Sequence, residues 1–290
     1  MKIAVTGKNG QVVRSLLALA DDKTEIIALG RPELDLATPS TIDAVLFAID
    51  PDVIVSAAAY TAVDKAEDEP ELAYAVNATG AAAVAETAAK LGIPIIHIST
   101  DYVFDGIKSE PYTERDTPNP QSVYGKSKLA GERLVAAANS RHIILRTAWV
   151  YSPYGNNFLK TMLRLGSERS EISVVADQHG NPTSAINIAT TIITICRKIT
   201  EEGFSDWGIY HLVDDSETTW FNWAEYMFSC SKMSVIINPI NGIDYPSKAQ
   251  RPKNSRLSTE KLKHTFSCSL PNWKTSTQLI IKKLEAAREN

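Results

Sequence analysis

The opening stretch KIAVTGKNGQVV (residues 2–13) narrows the choice of fold more than any other feature of this chain. A β-branched run turns at Gly7 and Gly10 straight into an apolar helical segment, the first half of a strand–helix–strand unit. Four further β-branched runs follow: EIIALG (25–30), DVIVSAAA (52–59), IPIIHIST (93–100) and HIILRTAWV (142–150). Their hydrophobicity is continuous rather than alternating, which suits strands covered on both faces. Amphipathic or alanine-rich stretches separate them, such as QVVRSLLALA (11–20) and ELAYAVNATGAAAVAETAAKLG (71–92). The alternation predicts an α/β fold, a Rossmann-type doubly wound parallel sheet over residues 1–150. Beyond that point glycine, proline and aromatic residues thicken, and the longest helical pieces are 184–202, 219–231 and 272–288. A smaller, irregular C-terminal lobe (151–290) is expected over the C-terminal edge of the sheet, with part of 184–202 completing the sheet domain.

Composition removes several classes of partner. A net charge of −4 without any dense Lys/Arg block argues against a nucleic acid read through its phosphates. The few residues before the Gly7 turn are too short an apolar run for a signal peptide. The longest greasy segment, AINIATTIITIC (185–196), is too short and threonine-rich to span a bilayer and reads as a core helix. Cys196, Cys230 and Cys268 are widely spaced and form neither a metal pattern nor a disulfide framework, which fits a reducing cytoplasm.

The glycine turn suits an anion. Amides at a helix N-terminus make a site for a pyrophosphate, and glycines give the turn its backbone freedom. A third glycine is usual three residues on; Val13 stands there, which predicts a slightly displaced first helix. At the end of the second strand Arg31 comes first and no acid appears until Glu33. A guanidinium accommodates a 2′-phosphate where a carboxylate would repel it, so NADPH is favoured, with NADH possible. A surface role, with Arg31 pairing to Glu33 or Asp35, is the plainer alternative.

VYGKSKLAGE (123–132) sets Tyr124 and Lys128 one helical turn apart, and no other tyrosine has a lysine at i+4. Reducing a ketone with a nicotinamide needs a proton donor beside the carbonyl oxygen. A free phenol titrates near 10, so a nearby ammonium would draw it towards neutrality. Thr100, ending the fourth strand with Ser99 beside it, offers a hydroxyl to orient the carbonyl. His97 reads as a satisfied core histidine, and Asp64 and Glu67 as the solvated or capping end of a helix.

These features resemble the extended short-chain dehydrogenase/reductases. Longer strings are more specific: GKNGQ, SAAAYTAVDKAEDEPELAYAVNA, STDYVFDG, VYGKSKLAGE, RTAWVY, GNNF, DQHGNPT and RPKNSRL. Together, over residues 7–257, they closely resemble the dTDP-4-dehydrorhamnose reductase family, whose activity is NAD(P)H reduction of the 4-keto group of dTDP-4-dehydro-6-deoxy-L-mannose. The resemblance implies Tyr124 as proton donor, Lys128 as its electrostatic and ribose-binding partner, and Thr100 as the hydroxyl on the keto oxygen. Gly7, Gly10, Gln11 and Val12 would line the pyrophosphate. Asp35 and Leu36 fall at the adenosine, and Ala57, Ala58 and Tyr60 border the cofactor. Asp101, Tyr102 and Trp149 are implied near the sugar, although core packing explains Trp149 as well. Arg251, Asn254 and Arg256 are candidates for the nucleotide end of a dTDP-linked deoxysugar, since guanidinium groups match diphosphate oxygens. Some members dimerise through a magnesium site built from glutamates. Here Ser15 and Ile186 stand at those positions, so no metal and a monomer or weak, differently built homodimer are expected.

Two other functions fit the same scaffold. A nucleotide-sugar epimerase or dehydratase would hold NAD tightly, but a dehydratase wants an Asp–Glu pair where this chain has Asp101–Tyr102. A non-catalytic regulatory subunit would not need the Thr100, Tyr124 and Lys128 set.

Overall fold

The computed structural model describes residues 1–287. Five strands, β1 (Lys2–Thr6), β2 (Glu25–Leu29), β3 (Val53–Ser56), β4 (Ile95–Thr100) and β5 (His142–Thr147), join a sixth at Gly208–His211 in one sheet. The order is Gly208–His211, β5, β4, β3, β1, β2, and every neighbour runs parallel. The strand runs are continuously apolar because both faces are covered. Ile3 and Val5 face a core closed by helix α1 (Gln11–Leu17) and helix Ala185–Ile199, while Ala4 between them faces a core that includes Leu46, Val84 and Val135.

The sheet takes its sixth strand, and the helix Ala185–Ile199 that covers it, from beyond residue 150. Leu262, Phe266 and Leu270 pack into the same core. The lobe therefore interleaves with the sheet domain along the chain. Its own core gathers Tyr151, Leu159, Met162, Trp223, Phe228 and Trp273 with others, beside a parallel pair of strands, Glu171–Val175 and Ile236–Ile240.

The three expected lobe helices run Ala185–Ile199, Trp220–Cys230 and Trp273–Ala286. Ser184, Thr219 and Asn272 cap them through side-chain oxygens; position 288 lies outside the described residues. Another helix, Phe158–Glu168, was not anticipated. Asn157 starts it by accepting from the Lys160 amide at 3.1 Å, within a stretch whose glycine and asparagines read as loop. Within 185–196, Ile188, Ile192, Ile195 and Cys196 are buried, as a core helix requires. Among the described residues no helix is long and apolar enough to cross a membrane.

Candidate active site

The C-terminal ends of β1 to β5 meet the lobe along one edge, and the marked residues collect there. Gly7 leaves β1 at φ +100°, a conformation that L side chains rarely adopt, and its amide donates to Leu29 O at 2.5 Å. Gly10 precedes α1 in extended geometry with no side-chain cap, so the first amides of the helix remain for another acceptor. Val13 is buried under the turn, its Cγ2 3.3 Å from where a Cβ on Gly7 would sit. Thr6 Oγ1 accepts from the amides of Ala57 and Ala58, both at 3.0 Å, and so folds the loop after β3 against the glycine turn.

Gln11 has a further part to play through its side chain. Its Oε1 accepts from Ser152 Oγ (2.8 Å) and Asn157 Nδ2 (2.9 Å), and its Nε2 donates to Val150 O (3.2 Å). The side chain ties the turn to the lobe, which leaves its backbone, with that of Val12, for a pyrophosphate. Arg31 is exposed and its guanidinium makes no ion pair among the described residues. Glu33 pairs with Lys8 instead, which overturns the alternative of an Arg31–Glu33 pair. Asp35 Oδ1 accepts from the Ala37 amide (3.0 Å), and Leu36 is buried where its carbonyl passes Gly80. A strained glycine turn, uncapped amides and a free guanidinium fit an NADP-type dinucleotide along this edge.

Thr100 and Tyr124 meet at the end of β4. Ser122 caps the Tyr124 helix, Val123–Ala138, and Glu67 Oε1 accepts from the Val123 amide at 2.8 Å. Burial pushes the Tyr124 phenol up to about 12, while the Thr100 hydroxyl pulls it back and Asp101 opposes that pull. This corrects the expectation of a phenol drawn towards neutrality. The reason is where Lys128 points: its Nζ donates to Ile98 O at 2.7 Å and lies 3.3 Å from His97 Nε2. Burial in turn lowers the ammonium to about 8, against a raising influence from Glu132.

On the substrate side, Asp101 accepts from Thr100 Oγ1 at 2.9 Å while its Oδ2 is buried without a partner. Burial raises its carboxyl to about 6. Tyr102 meets Tyr124 edge-on, ring centroids 5.6 Å apart. Trp149 adopts φ +45°, stacks on Trp220 at 3.5 Å, and lies where any Cβ on Gly180 would fall. A bulky residue held in the left-handed region beside a site is strain that the surroundings must enforce.

The three residues of RPKNSR separate. Arg251 donates to Asp64 Oδ2 (2.8 Å), its Nε is buried without a partner, and its charge acts on Tyr102. Asn254 uses both amide hydrogens on the carbonyls of Lys108 and Glu110, and its oxygen accepts from Arg256. Arg256 also pairs with Glu217 at 2.7 Å. Asn254 and Arg256 thus build the wall, and Arg251, paired with Asp64, is the cation whose charge reaches Tyr102.

One residue was missed. Asn77 receives the Tyr60 amide (2.8 Å) and donates to Tyr60 O and Ser127 Oγ (3.0 Å each), clamping the loop after β3 to the Tyr124 helix. It lies in a π-helical turn, Ala75–Gly80, and an asparagine amid alanines was the available signal. His97 is a core residue as expected, yet its neighbour is Lys128.

Comparison with known proteins gives the family. A family described as the RmlD substrate binding domain matches residues 1–286. The chain is 51% identical over 286 residues, 97% of each chain, to dTDP-4-dehydrorhamnose reductase of Sinorhizobium fredii. It superposes on the crystal structure of a dTDP-4-dehydrorhamnose reductase from Clostridium acetobutylicum with a TM-score of 0.93 at 38% identity, covering 98% of this chain and 100% of that one. The same enzyme from Bacillus anthracis, solved in complex with NADP, matches at TM-score 0.92 and 36% identity, covering 97% and 99%.

Proposed function

The chain belongs to the dTDP-4-dehydrorhamnose reductase family, and on that premise we propose that Thr100, Tyr124 and Lys128 reduce the 4-keto group of a dTDP-linked 4-keto-6-deoxysugar. The carrying observation is that the Thr100 hydroxyl at the end of β4 acts on the Tyr124 phenol, with Lys128 one turn along the helix. NADPH, when bound, supplies the hydride. Gly10, Gln11 and Val12 would hold its pyrophosphate by backbone amides at the turn that Gly7 shapes, Arg31 its 2′-phosphate, and Ala57, Ala58 and Tyr60 would border it. Thr100 orients the keto oxygen and Tyr124 gives that oxygen its proton.

A phenol near 12 remains a stronger acid than the alcohol it forms, so proton transfer is downhill at the end of the step. Lys128 stands one turn along the same helical face from the phenol, and its ammonium stabilises the phenolate left behind. Arg251 answers the anionic nucleotide, a role supported by its buried, unpartnered Nε. Trp149 and Tyr102 flank the sugar, and Asp101 offers it an unpartnered oxygen.

The setting is read as cytoplasmic, supported by three free thiols. A monomer or weak homodimer is supported by Ser15, whose hydroxyl donates to Gln11 O, standing where metal-bridged dimers carry a carboxylate.

The test mixes the protein with NADPH and dTDP-4-dehydrorhamnose and follows the absorbance of the reduced nicotinamide. Stoichiometric oxidation is expected, with Tyr124→Phe lowering kcat by about 10²–10⁴-fold while NADPH binding persists. Sugar conversion without net cofactor consumption would indicate an epimerase. Silence with intact cofactor binding would indicate a regulatory subunit.

A further inference from the structure

We propose that His97 is a positioning residue for Lys128, a neutral imidazole held in its Nδ1–H tautomer by Ser56 that fixes the ammonium through Nε2. His97 is fully buried in β4. Its Nδ1 lies 3.1 Å from Ser56 Oγ on β3, and its Nε2 lies 3.3 Å from Lys128 Nζ.

An ammonium has three donors and no acceptor, so the ring nitrogen facing it must offer a lone pair. The proton then sits on Nδ1 and is donated to the serine. A charged ring would set two cations side by side in the core. Burial and the lysine charge hold the imidazole well below its ordinary value.

The consequence lies in the geometry of –NH3⁺. The Ile98 carbonyl takes one N–H at 2.7 Å and His97 takes a second. Two fixed tetrahedral directions fix the third. Lys128 therefore presents one donor in a determined direction instead of a rotating trio. The charged and titratable groups around the pair are Glu132 one turn onward on the same helix, itself paired with Arg146 of β5, and Tyr124 one turn back. From β3 the Ser56 hydroxyl faces the ring.

This inference rests on the proposed role of Lys128, so one test is independent of turnover. In the cofactor-free protein, side-chain ¹⁵N spectra should show His97 as the neutral Nδ1–H tautomer, with Lys128→Met shifting the Nε2 resonance. An Nε2–H tautomer, or an Nε2 resonance indifferent to Lys128→Met, overturns the proposal even if the reductase assignment stands.

The second test is the pH profile of kcat. A hydrogen bond to an acceptor favours the charged lysine, so His97→Leu should move the alkaline limb down by about one pH unit, roughly a tenfold loss on that limb. His97→Gln, which returns an acceptor near the position of Nε2, should restore the limb. Should both folded variants share the wild-type limb, or both lose it alike, His97 merely fills space.

Discussion

At the scale of single residues, the site depends on which side chains the fold leaves unpaired. Lys8 engages Glu33, and that removes the carboxylate that would otherwise hold Arg31. Arg31→Glu should therefore shift the ratio of kcat/KM values from NADPH towards NADH, by about tenfold or more for one reversed charge at a phosphate. An unchanged ratio in side-by-side kinetics would remove Arg31 from the cofactor site. The same principle separates Arg251 from Arg256. Both looked alike as framing charges in RPKNSR, but Arg256 is engaged by Glu217 and Asn254, whereas Arg251 keeps a buried donor without a partner. Nothing local in the sequence distinguishes them, because their charged partners, Asp64 and Glu217, lie far along the chain.

At the scale of elements, the helix Val123–Ala138 is the part the chain takes most care to fix. Its side chain Glu132 joins Ser99 Oγ (2.5 Å) and Arg146 (2.7 and 2.9 Å) in a buried network that locks it to β4 and β5. Such a buried pair is chiefly a device of register, since desolvation offsets much of its attraction. On the opposite side Gly131 lets the helix touch the π-helical turn, where an added Cβ would lie 2.1 Å from Asn77 O. Gly131→Ala should cost about 1–3 kcal/mol by overpacking and lower the melting temperature by a few degrees. It should also reduce kcat, because Asn77 and Ser127 move with Tyr124; wild-type melting would contradict the close approach.

A second element-scale brace joins the lobe to the cofactor side. Asp64 accepts from the amides of Lys248 (3.1 Å) and Ala249 (3.0 Å) and from Arg251. Asp64→Ala should raise KM for the nucleotide sugar several-fold with a smaller change in kcat, since it frees the loop that carries Arg251. Equal losses in both constants would assign Asp64 to the chemistry instead. The helix itself was legible from its spacing, though not its Ser122 cap. Its braces were not, since Glu67, Asn77, Ser99 and Arg146 come from other elements and each reads alone as an ordinary polar residue.

At the scale of the whole molecule, buried ionisable groups predict an unusual pH response. Asp101 and Asp214 are raised to about 6 by burial, so between about pH 4 and pH 6 the folded state holds protons that the unfolded chain releases, and stability falls as pH rises. His97 and His211, lowered by burial, do the reverse: the unfolded chain binds those protons, and stability rises with pH up to about 6.5. Two groups oppose two, so urea unfolding should be nearly flat across that window. Below about pH 4, stability should fall as Asp116 (lowered to about 2), Asp64 and Asp43 take up protons. Asp214→Asn removes one side of the balance and should give a slope of about 1.4 kcal/mol per pH unit, rising with pH. A mutant as flat as the wild type would contradict the raised carboxyl.

The α/β class was legible because five apolar runs each bury residues on both faces of the sheet. The sixth strand, GIYH, was not: it is short, begins at Gly208 and is surrounded by the turn-rich sequence of the lobe. Its position has a practical meaning for anyone recombining such enzymes. A gene cut at residue 150 would strip β5 of its outer neighbour and bare Ile143 and Leu145, and the companion fragment would carry an orphan ribbon with nothing to pair. Substrate preference in this scaffold can be transplanted only loop by loop, never by exchanging halves.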